Sequence, residues 1–155
     1  MGIVSGANLT ETYLTLEAGN TPALGDIYIG DDGRRYRFVQ YNGGVGAVAA
    51  VAGNFTYALA PSGVSAGLFT TVTSDLSDSA NVGTGMLMSA PSATVGLFCW
   101  VQISGFATLT TALTAGADGN ALTPVGATDG TLDVSALVTD HICAVAIDAS
   151  ARIVL

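Results

Sequence analysis

The chain has 155 residues, and 50% of them are hydrophobic, enough apolar side chain for the core of one domain. Only 10% are charged, against about 25% in an ordinary soluble domain. Four arginines, no lysine and twelve Asp or Glu leave a net charge of −8, which argues against a nucleic-acid partner and against an anionic membrane surface, both of which are bound through many Lys and Arg.

A chain of this mass exposes on the order of 7,000 Å², more than its few charged side chains can cover. Ser, Thr, Asn, Gly and Ala must form much of that surface. With a mean hydropathy of +0.55, the chain reads as one whose surface is taken up by neighbours.

Period-2 patterns dominate and helix signals are scarce. Residues 1–12 carry only weak patterning and read as an extended N-terminal arm, with residues 13–155 as the β-rich body. Met1-Gly2-Ile3-Val4 lacks the basic start of a signal peptide, and the longest apolar run, Val45 to Ala52, falls far short of the ~18 residues of a membrane span. Thr10 to Glu17 alternates in the manner of a strand. In Asp26 to Tyr41, two β-branched and aromatic runs flank Asp32-Gly33, where glycine supplies the positive φ of a hairpin turn.

Gly43 to Gly53, rich in Gly, Ala and Val, is open between a short helix around Ala47 to Ala52 and a packed loop. Phe55 to Ala60 and Leu68 to Thr73 read as strands separated by Pro61-Ser62-Gly63, and Ser74 to Asn81 as an Asp/Ser-rich loop. Met86 to Ser89 is a short strand. Leu97 to Ile103 is apolar on both faces, which places Phe98, Trp100, Val101 and Ile103 on a core strand of a sandwich or barrel, or at a subunit interface. Gly105 then marks a bulge or close backbone approach, and Phe106 to Thr111 continues extended. After a loop region around Ala121-Leu122-Thr123, Ile142 to Ile147 and Arg152 to Leu155 form a terminal hairpin across Asp148 to Ala151. About nine short strands with regular turn signals predict a mainly β, single-domain β-sandwich or small β-barrel.

Groups able to do chemistry are few. His141 and Cys143 sit two apart, on one face of a strand, with no third group to orient the histidine, and a strand-edge histidine beside a buried cysteine is the better reading. Ser74-Asp75-Leu76-Ser77-Asp78 lacks the spaced ligands of a calcium loop, and its acids suit turns. Cys99 and Cys143 show no metal-ligand spacing and read as buried free thiols of a reducing cytoplasm, with a disulfide between them as the lesser reading. Gly43-Gly44-Val45-Gly46 is not followed by the Lys-Ser/Thr pair of a phosphate loop. Arg34, Arg35 and Arg37 belong to the hairpin. No catalytic, cofactor or metal residue emerges.

The run Gly96-Leu97-Phe98-Cys99-Trp100-Val101-Gln102-Ile103-Ser104-Gly105-Phe106-Ala107-Thr108-Leu109 resembles a core-strand phrase, Gly-x-x-x-Trp-Val-Gln-x-x-Gly-x-Ala, of the capsid decoration (cement) proteins of tailed bacteriophages. Gly33-Arg34-Arg35-Tyr36-Arg37-Phe38-Val39 is similar to an early strand of that family. Ala144-Val145-Ala146-Ile147-Asp148 is similar to its ending, with Ala144 where the family usually has Gly. The resemblance covers much of residues 25–155 in the expected order.

It implies a trimeric or otherwise oligomeric β-protein, made in the bacterial host cytoplasm, that sits on the virion exterior and clamps adjacent major capsid proteins. On that expectation the partners are the major capsid protein and the chain itself as a homotrimer, with no nucleic acid and no membrane, and Ile3, Val4 and Leu9 of the arm are the candidate capsid contacts. A phage fibre or receptor-binding module is the rival reading and predicts exposed aromatic and Asp/Asn clusters at loop tips. A small barrel enzyme is the third, and the scarcity of ionisable groups counts against it.

Overall fold

The computed structural model describes residues 2–4, 6–60 and 70–155, and of Ile3 and Val4 the backbone only. Among the described residues the chain is mainly β, with twelve strands, one 3-10 turn at Leu76–Asp78 and no α-helix. The strands are β1 (Ile3–Val4), β2 (Ile27–Ile29), β3 (Arg35–Tyr41), β4 (Phe55–Leu59), β5 (Thr71–Thr73), β6 (Ser79–Leu87), β7 (Phe98–Ser104), β8 (Phe106–Thr108), β9 (Ala121–Thr123), β10 (Asp133–Val134), β11 (Ala144–Ala146) and β12 (Arg152–Val154).

Five of them close a small barrel in the order β3-β5-β4-β6-β7, because β7 returns to pair with β3. The β2–β3 hairpin forms as its residues dictate: Tyr28 pairs with Tyr36, Ile29 with Arg35, and Gly33 takes φ 79° in the connecting loop. The first half of β3 carries β2 on the edge whose second half carries β5, so β2 and β1 peel away from the barrel. The second sheet is antiparallel, in the order β10-β9-β11-β12-β8.

Strand alternation sorts the apolar side chains into three clusters. Val39, Tyr41, Val72, Leu87, Cys99 and Val101 fill the barrel. Phe55, Tyr57 and Met86 leave the barrel wall to meet Leu122, Leu132 and Ile153 of the second sheet and its loops. Tyr36, Phe38 and Trp100 form a third cluster on the outside of the barrel, covered by Ala7, Leu9, Tyr13, Leu24 and Tyr28.

This arrangement explains why β7 is apolar throughout. Its odd residues line the barrel, while Phe98 and Trp100 face the N-terminal segment. The Trp100 ring sits 5.2 Å from Phe38 and 6.3 Å from Tyr28, centroid to centroid and edge-on in both cases, the arrangement aromatic quadrupoles favour.

Three expected elements differ. Thr10 to Glu17 forms no strand: Tyr13 alone bridges to Phe98, with bends and turns around it. The stretch around Ala47 to Ala52 forms no helix: turns occupy it and Ala47 itself takes φ 52°. The span read as a loop up to Asn81 gives way at Ser79 to β6, the longest strand among the described residues. Ser79, Ala80, Asn81, Gly83 and Gly85 have little strand preference of their own. They belong to a strand because β4 pairs with it, through two register shifts, at Leu59–Ser79, Tyr57–Gly83 and Thr56–Gly85, while Asn81 itself takes φ 55°. At Gly85, φ is 138° and a Cβ would run into the Gln102 carbonyl, so this crossing of β6 and β7 admits only glycine.

Of the remaining expectations, Pro61-Ser62-Gly63 and the first two residues of the Leu68 to Thr73 strand lie outside the described residues.

Candidate functional site

Gly105 takes φ 89° between β7 and β8 and turns the chain from the barrel into the second sheet. Its N–H and C=O pair reciprocally with those of Leu155, at 3.3 and 3.1 Å. Since 105 and 155 are a hydrogen-bonded pair, alternation makes 107 and 153 the next one. Phe106 and Thr108 therefore turn their N–H and C=O groups to the opposite side, where β8 has no neighbouring strand. The Phe106 carbonyl is taken by Gln102 Nε2 at 2.8 Å. The Phe106 N–H and both main-chain groups of Thr108 find no partner among the described residues.

The faces of this sheet are sorted against expectation. In β8 and β11 the small residues Ala107, Ala144 and Ala146 point into the core, and the larger Phe106 and Val145 point out, 63% and 42% exposed. Register aligns Ala121, Val145, Val154 and Phe106 in one row across four strands. Arg152, two residues from Val154 and so on the same face of β12, is the charged side chain of that strand, and its Nε holds Asp148 Oδ2 at 2.6 Å.

Alongside the free edge of β8, between it and the barrel, lies a groove of about 480 Å³. Its wall includes Met86, Met88, Phe106 and Thr108, and Arg34 and Arg152 are also among its lining residues. Two of the four basic residues of an acidic chain thus meet at one groove. Arg34 is held through Nε to Asp32 Oδ2 at 3.2 Å.

The residues singled out from the sequence fall elsewhere. Trp100 and Val101 are fully buried; Phe98 and Ile103 are partly so. Trp100 Nε1 and Arg37 Nε are buried without a hydrogen-bond partner among the described residues. Of the arm, Ile3 and Val4 run parallel to Ile27 and Tyr28, and Leu9 lies half-buried on the Trp100 cluster. None of these residues is among those that line the groove.

The acidic residues act as turn formers. Asp75 accepts from Ser77 Oγ at 2.6 Å, Ser77 N at 3.0 Å and Gly46 N at 3.0 Å, and these bonds, the Ser77 hydroxyl foremost, hold its carboxyl below the usual carboxylate range. Asp78 accepts from Val45 N, and Asp129 from Leu76 N, so carboxylates tie the Gly-rich segment to the barrel. Asp148, bonded first to Arg152 and then to three backbone amides of its turn, is likewise held low. Cys99 and Cys143 are free thiols that burial pushes up to about 12, which keeps them protonated and poorly nucleophilic. His141, two residues before Cys143, is exposed.

Among the described residues no three His, Cys, Asp or Glu side chains gather as a metal site, and no helix is long and apolar enough to cross a membrane. No family model, curated protein or solved structure matches this chain.

Sequence reasoning missed the groove and the outward row. The signal was present in the inverted alternation of Phe-Ala-Thr and Ala-Val-Ala, where the bulkier residue occupies the solvent position. Without knowing which face the core lay on, those triplets read as ordinary half-buried strands.

Proposed function

We propose that the chain is a structural protein of a phage virion, an oligomer, with the trimer as first expectation, that binds the outside of an icosahedral shell and stabilises contacts between major capsid proteins without carrying out catalysis. The observation that carries this reading is the outer face of the second sheet: an apolar row across four strands on a molecule with very few charges. Such a row gains about 25 cal/mol for each Å² of apolar surface it removes from water, and contiguous exposed apolar rows mark contact surfaces. The likeness of residues 96–109 to the decoration-protein phrase supplies the identity of the partner.

Binding only to the assembled shell stabilises that shell by mass action, and several attachment points per oligomer add avidity. The test is sedimentation of the purified protein with expanded, undecorated shells from the phage that encodes it. Co-sedimentation to saturation, and shells that withstand heating or chelation better when coated, are the expected results. Failure to bind such shells at micromolar concentration overturns the reading.

A further inference from the structure

The groove beside β8 has a chemistry of its own. Main-chain donors and an acceptor at strand spacing, open along an edge, are complementary to another extended backbone. Met86, Met88 and Phe106 offer an adaptable apolar lining. Arg34 and Arg152, two of the four basic residues of an otherwise acidic chain, both line it, and each is engaged with its own aspartate through Nε, the arrangement in which a second carboxylate approaches the remaining N–H donors of the fork. The groove is continuous with the apolar row, since Phe106 belongs to both.

We propose that this groove seats an extended segment of a partner protein, alternating apolar and acidic side chains, which adds to the second sheet as a sixth strand against β8. The backbone of the segment bonds to Thr108 and to the Phe106 N–H; its apolar side chains lie on Met86 and Met88; its carboxylates meet Arg34 and Arg152. An acidic partner is otherwise repelled by a chain of net charge −8, so the groove also selects the side of the molecule on which such a partner docks. For the partner's identity as a shell protein this inference rests on the reading above; for the groove's ligand class it does not.

The probe is an acetylated and amidated hexapeptide alternating Val and Asp, titrated into the full chain and followed through its backbone amide resonances. A second peptide carries Lys for Asp, and a third is N-methylated at alternate residues. The Asp peptide is expected to shift the Phe106 and Thr108 amides, to slow exchange at Thr108, and to bind more than about fivefold tighter than the Lys peptide, the scale of one or two exposed ion pairs. Thr108→Pro removes a donor that faces away from β12, at an edge position where proline is tolerated, and should abolish the response. Arg34→Ala should weaken it about threefold, with the Leu122 and Ile153 amides still protected in both variants.

Absence of shifts at Phe106 and Thr108, equal affinity for the Lys peptide, or undiminished binding of an N-methylated peptide each overturns the proposal. Shell attachment is read separately. A Thr108→Pro variant that loses the peptide yet decorates shells normally overturns the groove as the seat of the shell contact and leaves the decoration reading standing. A chain that binds the Asp peptide but no shell overturns the decoration reading and leaves the groove's ligand class standing.

Discussion

The barrel and the second sheet solve the same problem differently. Each barrel strand has a neighbour on both sides, because β3 and β7 pair and close the ring. Among the described residues the second sheet stops at β8 and β10 and leaves main-chain groups along β8 without a partner. Closure removes the template for further pairing, whereas an open edge keeps it. The barrel buries its bulk on both faces of its wall, with Val39, Leu87 and Val101 inside it and Phe38, Trp100 and Tyr57 against the segments packed on its outside, while the second sheet turns Phe106 and Val145 outward. On the proposed reading stability rests with the one and association with the other, and substitutions in the two regions should separate accordingly.

The largest effect belongs to the closed region. Trp100→Ala removes a fully buried indole from between the barrel and the N-terminal segment and should cost about 3–5 kcal/mol, read as a shift of the denaturant midpoint. Unchanged stability would place that ring outside the load of the core. Gly85→Ala forces a Cβ into the Gln102 carbonyl at φ 138°, and should cost about 1–3 kcal/mol through backbone strain alone, with loss of amide protection along β6 and β7.

The covering segment is next. Leu9→Ala, on the rim of the Trp100 cluster, should cost about 1–2 kcal/mol, below a full core truncation because Leu9 is only half-buried. Deleting residues 2–10 should leave the barrel folded and red-shift Trp100 fluorescence as its cover is lost. If the arm is also a shell contact, shell attachment by the truncated chain should fall markedly. Retention of both the emission maximum and full attachment would show the arm to be neither cover nor contact.

Acid should act on both regions at once. Asp75 at the barrel and Asp140 and Asp148 in the second-sheet turns all have folded pKa values below the ordinary range. Their contribution is present above the unfolded carboxylate value of about 3.9 and is lost as pH falls through the lower folded values. The denaturant midpoint should therefore be flat near neutrality and decline below about pH 4; a midpoint that rises on acidification would contradict these assignments. The smallest effect is expected at the open face. Val145→Ser should change stability by no more than about 0.5 kcal/mol while reducing oligomer formation or shell binding, by light scattering and sedimentation respectively.

What could be read from residues alone follows from how local each signal is. The β2–β3 hairpin was legible because Asp32-Gly33 and its flanking aromatic runs carry the turn and the strands within one short window. The β11–β12 hairpin was legible for the same reason, with Asp148 accepting from the backbone of its own turn. The burial of β7 on two faces was legible from its composition. β6 was not, because Ser79 to Gly85 belong to a strand only by virtue of β4, some two dozen residues earlier. The free edge of β8 was equally hidden: it depends on which strand fails to arrive, and no pattern within Phe106-Ala107-Thr108 records that.

The reciprocal bonds between Gly105 and Leu155 have a bearing on how the chain is made. β8 has β12 as its one ladder partner, so while the ribosome works through the intervening segment this strand waits with both sides bare and Phe106 beside it. Pairing at such sequence separation is slow to find, and unpaired edges on nascent chains are where neighbouring copies stick together. Overexpression from a strong promoter should therefore drive the protein into inclusion bodies more readily than its final stability would suggest, and slower translation should return it to the supernatant.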